Sequence, residues 1–154
     1  MKKLHKLNFT NYSFSRYNKY EIYLVNNGWQ LLDEGSARRT YRRGKMVIKI
    51  PMNLSKDRSG IHGNILEAYA YRKYRNRCDK NGFFFAPCRL LSNGCLMMPF
   101  VDRKNFPERQ NIPAWVHNID GWQCAYYKGR MVAYDSEYNI QHLLKAALKW
   151  AYRK

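Results

Sequence analysis

Residues 46–50 read Met46-Val47-Ile48-Lys49-Ile50, four apolar side chains and one ammonium in a run of strand length. Alternation along a strand puts Met46, Ile48 and Ile50 on one face and Val47 and Lys49 on the other. The lysine makes the stretch informative, because a cation turned into a strand-rich core is costly unless it meets an anion. The candidate downstream is Glu67, inside a stretch with helical spacing. A simpler reading stands beside it. Lys49 can sit at a sheet edge with its stem carrying the charge to water, leaving Glu67 a solvent-facing helix residue among arginines.

Working outward, Trp29-Gln30-Leu31-Leu32-Asp33-Glu34 is a second short apolar run, and Arg43 and Gly44 supply turn residues before the lysine strand. The two runs read as antiparallel strands, the second ended by Pro51, which cannot donate to a ladder. Residues 53–63 are polar and contain glycine, so they read as a loop. A helix is predicted from Ile61 or Asn64 to about Cys78, stopped by Lys80-Asn81-Gly82. Its spacing groups Ile65, Leu66, Tyr69 and Lys73 on one side, with Glu67, Tyr71 and Arg75 round from them. Cys88–Leu91 and Cys95–Phe100 form a hairpin across Ser92-Asn93-Gly94. Residues 102–114, with Pro107 and Pro113, are irregular. A second hairpin joins Gln123–Tyr126 to Arg130–Tyr134 through Lys128-Gly129, and Glu137–Tyr152 is an amphipathic helix. Residues 1–20 show no sustained period and read as an arm or a short strand. The expected fold class is α+β: a twisted antiparallel sheet of about five strands with one packed helix, then a β-hairpin and a C-terminal helix.

At 154 residues with 45% hydrophobic and 16% aromatic side chains, the chain can bury a core of its own and is not a disordered segment. No apolar run approaches the length of a membrane helix, and the basic N-terminus lacks the apolar stretch of a signal peptide, so a cytoplasmic protein is expected. Cys78, Cys88, Cys95 and Cys124 form no CxxC or CxxH spacing, which reads as reduced thiols and no zinc site. Trp115 and Trp122 read as core lids.

Charge is the loudest signal. Lys and Arg number 28 against 11 Asp and Glu, a net charge of +17 that favours a polyanion as partner: nucleic acid, nucleotide phosphates or an acidic protein. The candidate contact residues are Arg38, Arg39, Arg42, Arg43 and Lys45 in one cluster, with Arg72 and Arg75 in another. The tyrosines interleaved with Arg72, Lys73, Arg75 and Arg77 can stack bases, or the pattern is a solvated helix face.

Taken in order, five pieces of the chain resemble the kinase-like superfamily, and specifically the small kinase-like proteins of tailed bacteriophages. LLDEGSARRTY (Leu31 to Tyr41) looks like the glycine-rich loop, with Gly35 its remaining glycine. MVIKI resembles the strand that carries the phosphate-binding lysine, Lys49, with Val47 in the place of a smaller nucleotide-binding residue that would roof the adenine. NILEAY (Asn64 to Tyr69) looks like the helix with the partner glutamate, Glu67. CRLLSNGCLMMPFVD (Cys88 to Asp102) is similar to the hairpin leading into the hinge, where Met98, Pro99 and Phe100 would contact adenine. HNIDGWQCAYYKGRMVAYDSE (His117 to Glu137) resembles the catalytic loop and metal-binding aspartate. The resemblance implies ATP and Mg²⁺ as cofactors, Asp135 and Gln123 as metal ligands, and Lys49 and Asp120 as the catalytic pair. It divides the chain into an arm (1–20), an N-lobe-like region (21–102) and a truncated C-lobe-like stub (103–154).

The departures from the family pattern shape the functional expectation. Asp33 stands where the first glycine would be, and an acid there repels phosphate. The base falls near Asn118 or Asp120, and only the aspartate can accept a proton. Gln123 replaces the metal-binding asparagine, and Ser136 replaces the glycine after Asp135. Some 17 residues separate Phe100 from Asn118 and 19 follow Asp135, too few for a substrate-binding lobe. Asp135 also has a plain reading as a helix N-cap, and Gln123 as a polar strand residue. The expectation is a pseudokinase or host-protein-binding module with a degenerate nucleotide site in the host cytoplasm. A basic nucleic-acid binder and a minimal ATP-dependent phosphotransferase are the alternatives.

Overall fold

The computed structural model describes residues 14–52, 59–80, 84–106 and 123–135. In chain order these form helix α1 (Phe14–Asn26), strands β1 (Gln30–Glu34), β2 (Arg38–Arg43) and β3 (Met46–Pro51), and helix α2 (Ser59–Lys80). Strands β4 (Phe84–Phe85), β5 (Arg89–Leu90), β6 (Leu96–Pro99), β7 (Cys124–Tyr127) and β8 (Arg130–Ala133) follow, with a 3-10 turn at Arg103–Asn105 between the last two pairs. The protein is α+β. Five strands make an antiparallel sheet in the order β1-β2-β3-β6-β5, so β3 is central and Lys49 lies opposite Thr40 on one side and Leu96 on the other. A three-stranded sheet, β4-β8-β7, packs beside it.

The two faces of β3 bury different chemistry. Ile48 and Ile50 meet Tyr17 and Leu24 of α1, with Tyr41 and Cys95 filling between them. Tyr17 and Leu24 are seven residues apart, two helical turns, and the Tyr17 hydroxyl donates to the Asn93 carbonyl at 3.0 Å. Val47 lies on the opposite face with Leu96, Met98 and Val101, against Ala125 and Val132 of the small sheet. The alternation expected of Met46–Ile50 therefore holds, with an apolar cover on each side.

Both hairpins form as expected. The β5–β6 turn closes through Leu91 N–H to the Cys95 carbonyl at 2.8 Å. The β7–β8 turn places Lys128 at φ 51° and Gly129 at φ 76°, the left-handed pair that matches strand twist in a two-residue hairpin. No helix among the described residues is long and apolar enough to cross a membrane.

Several expectations are corrected. Residues 14–20 are not arm or strand; they open α1, whose Tyr17 and Leu24 spacing was hidden among polar neighbours. Two helices, not one, pack on the sheet region. Residues 59–63 are the first turn and a half of α2 rather than loop. Arg38–Arg43 is a full strand between the two expected ones, its five charged or polar side chains masking a strand pattern. Phe84–Phe85 pairs parallel with β8, a contact across 47 residues that no local pattern announces. The Glu137–Tyr152 helix and Trp115 and Trp122 lie outside the described residues.

Candidate functional site

Four charged side chains converge where β2, β3, α2 and the end of β8 meet. Lys49 Nζ lies 3.1 Å from Glu67 Oε2 and 3.2 Å from Oε1, and 3.4 Å from Asp135 Oδ1. Its third partner is the Tyr134 carbonyl, at 2.7 Å. Arg38 reaches the same two acids, with Nη1 2.5 Å from Glu67 Oε1 and Nη2 hydrogen-bonded to Asp135 Oδ1. Lys49, Arg38 and Glu67 are 5%, 7% and 4% exposed, whereas the Asp135 side chain is 33% exposed. Lys49 is thus not an edge residue venting its charge to water. The two cations and two anions balance.

Each element delivers its side chain for a local reason. Antiparallel register aligns Thr40 with Lys49 and Arg38 with Pro51, so Arg38 and Lys49 share a sheet face. On α2 the described buried positions are Gly60, Gly63, Asn64, Glu67 and Ala70, a stripe mostly at three- and four-residue spacing that faces the sheet. The expected stripe, Ile65, Leu66 and Tyr69, is only half-buried. Hydropathy misplaced the face because its buried members are small or polar. Gly60 is what allows α2 so close: a Cβ there would stand 2.2 Å from the Ala37 carbonyl oxygen and 3.0 Å from Pro51 Cα. Asn64 then ties three segments, donating to the carbonyls of Lys49 (3.1 Å) and Gly94 (2.9 Å) and accepting from Arg38 (3.2 Å).

Lys49 and Asp135 of the network line a cleft of about 450 Å³. Val47 and Met98 floor it, Phe100 to Lys104 border one side, and Gln123, Tyr134 and Asp135 come from the small sheet. A register shift between Leu31 and Asp33 leaves Leu32 without a partner on β2, so Leu32 and Asp33 both reach the cleft from β1. Arg42 lies over the Phe100 ring at 3.5 Å from its centroid, fixing the rim. The lining is largely apolar, with Lys49 and Asp135 bringing charge from the network.

The chain matches no protein-family model and no curated protein.

Of the residues the resemblance singles out, the structure brings together Lys49, Glu67 and Asp135 in the network and Val47, Met98, Phe100 and Gln123 around the cleft. Gly35 lies in the exposed β1–β2 connection, its N–H bonded to the Arg38 carbonyl at 2.9 Å. Asp120 and Asn118 lie outside the described residues. The basic cluster divides. Arg38 is buried in the network, Arg39 binds Glu21 and Glu34 at 3.1 Å each, and Arg42 covers Phe100. Arg38 is therefore no surface contact for a polyanion, a correction to its place in that set. Arg43, Lys45, Arg72 and Arg75 are exposed.

Two functional residues escaped the sequence reading: Arg38, counted with surface arginines, and Asn64, read only as a helix start. The signal for Arg38 was available in principle. A strand drawn through Arg38–Arg43 pairs it antiparallel with β3 and puts alternate arginines on the lysine face.

Burial would raise the Asp135 carboxyl, but Lys49 and then Arg38 outweigh it and hold it below the usual carboxylate value of 3.8. The thiols of Cys88, Cys95 and Cys124 are pushed up by burial to about 12, so each stays protonated and none is disulfide-bonded. Among the described residues no three His, Cys, Asp or Glu side chains gather as a metal-ligand set. Val47 and Met98, neighbours across β3 and β6, give the cleft one apolar surface, with Lys49 two residues along β3 from Val47. The acids fit Mg²⁺ poorly. Asp135 Oδ1 already takes two cations, Gln123 offers only a neutral amide, and a metal there would face two fixed positive charges.

Proposed function

We propose that the protein is a reduced kinase-like module whose cleft receives a nucleotide and which acts by binding rather than by efficient phosphoryl transfer. One observation carries the reading: a buried lysine on the central strand meets a buried helix glutamate at the end of an apolar slot. Ion pairs of this burial do little for stability compared with well-packed apolar side chains, so their presence asks for a functional reason. An ammonium oriented by a carboxylate and open to a cleft suits an anionic phosphate. The apolar walls at Val47 and Met98 suit the base that accompanies it.

Several features favour binding over turnover. Asp33 at the mouth opposes phosphate, and both inner acids are taken by the chain's own cations. The exposed Arg43, Lys45, Arg72 and Arg75, within a net charge of +17, favour an acidic protein as partner, as the likeness to small phage-encoded modules implies.

Thermal unfolding with added ADP or ATP tests the reading. A rise in melting temperature is expected that grows with nucleotide concentration and disappears in Lys49→Ala. An unchanged melting temperature at millimolar nucleotide would refute it.

A further inference from the structure

We propose that Arg38 is a resident cation standing where a divalent metal would bridge Glu67 and Asp135, so that the cleft takes a polyphosphate ligand without metal. The guanidinium spans the two acids, one nitrogen on Glu67 Oε1 and the other on Asp135 Oδ1. Its geometry is fixed by a third contact, Asn64 Oδ1 at 3.2 Å, so the fork does not swing away to admit a competitor. Lys49 approaches the same two carboxylates at 3.1 and 3.4 Å from another side. Metal ions bind acids whose oxygens are open, and here each acid is engaged by both the guanidinium of Arg38 and the ammonium of Lys49. A divalent ion entering between them would have to displace a buried, hydrogen-bonded guanidinium. Asp135 is the one partly exposed member of the four and lines the cleft with Lys49, so an incoming phosphate meets Lys49 from the Asp135 side, while Arg38 stays behind the two acids and balances their charge.

The statement about the cation stands on Arg38 alone, while the statement about polyphosphate also rests on the nucleotide reading above. Two measurements separate them. The first follows Mn²⁺ binding by electron paramagnetic resonance in the full chain. The wild type is expected to show no Mn²⁺ site that responds to Asp135→Asn. Arg38→Gln is expected to gain one, lost again in the Arg38→Gln, Asp135→Asn double variant. Wild-type Mn²⁺ binding that Asp135→Asn abolishes would overturn the assignment, as would an Arg38→Gln protein that gains no site. Should Arg38→Gln fold poorly, circular dichroism keeps the test open: added Mn²⁺ raises its melting temperature and leaves the wild type and Arg38→Lys unmoved, and an equal response in all three overturns it.

The second compares the ADP-induced melting shift in EDTA and in Mg²⁺. Equal shifts support metal-free binding, and a shift that needs Mg²⁺ overturns it. No shift in either buffer overturns the nucleotide reading and with it the polyphosphate half of the proposal, while the Mn²⁺ result still decides the role of Arg38.

Discussion

The two faces of β3 are built to opposite rules from the same six residues. Behind it, Ile48 and Ile50 pack under Tyr17 and Leu24 of α1, and the charged pair on that side, Arg39 with Glu21, is more exposed than Lys49, Arg38 and Glu67 in front. In front, Lys49 is locked with Arg38, Glu67 and Asp135 beneath α2. Apolar contacts are non-directional, so the rear face tolerates small changes and loses stability in proportion to the volume removed. A buried charge network behaves otherwise. It contributes little as a whole, yet removing one member strands the others without a counter-charge. The rear holds the fold, and the front is where the fold carries a feature that stability alone would not select.

The largest expected effect is on the front. Glu67→Leu leaves Lys49 and Arg38 sharing one acid and is expected to cost about 3–5 kcal/mol in urea unfolding. Adding Lys49→Met should then recover part of that loss, because the second stranded charge is gone. A double variant as unstable as the sum of its singles would dissolve the contrast between the faces. On the rear, Leu24→Ala is expected to cost about 3 kcal/mol through the cavity it leaves. Combined with Ile50→Val it should be close to additive only if the rear is loosely coupled, which the same unfolding curves measure.

Gly60→Ala comes next. The methyl group would press on the Ala37 carbonyl and Pro51 backbone, shifting α2 from the sheet at about 1–3 kcal/mol. A neutral outcome would mean that α2 does not sit as close as its contacts require. The smallest effect is a pH dependence. Asp135 titrates below 3.8 when folded, so its share of stability is present above that value and is lost as pH falls through the lower folded one. Asp135→Asn should flatten the acid limb of a stability–pH profile below pH 3.8, and an unchanged limb would exclude the network as its source. The buried thiols act at the other end. Cys88, Cys95 and Cys124 ionise near 12 when folded against an ordinary 9, so stability declines as pH rises beyond 9.

Legibility in the sequence followed the physics of each region. The strand Met46–Pro51, its alternation and both hairpin turns were readable because period-two hydropathy and Asn93-Gly94 or Lys128-Gly129 are local signals. The meeting of Lys49 with Glu67 followed from charge cost, a long-range consequence of one local fact. Strand β2 was not readable as a strand because Arg38, Arg39 and Arg42 find partners far along the chain, at Glu67, Asp135, Glu21 and Phe100. The sheet-facing stripe of α2 was hidden for a related reason. Gly60 and Asn64 are buried for closeness and hydrogen bonding, neither of which a hydropathy pattern registers.

Methyl NMR of the full chain during ADP titration tests the central claim most directly, since the two faces of one strand serve as probe and control. Val47 and Met98 should shift in a saturable manner while Ile48, Ile50 and Leu24 stay fixed, and the shifts should vanish in Lys49→Ala. Silent front-face methyls, or equal movement on both faces, would contradict a nucleotide cleft built on Lys49.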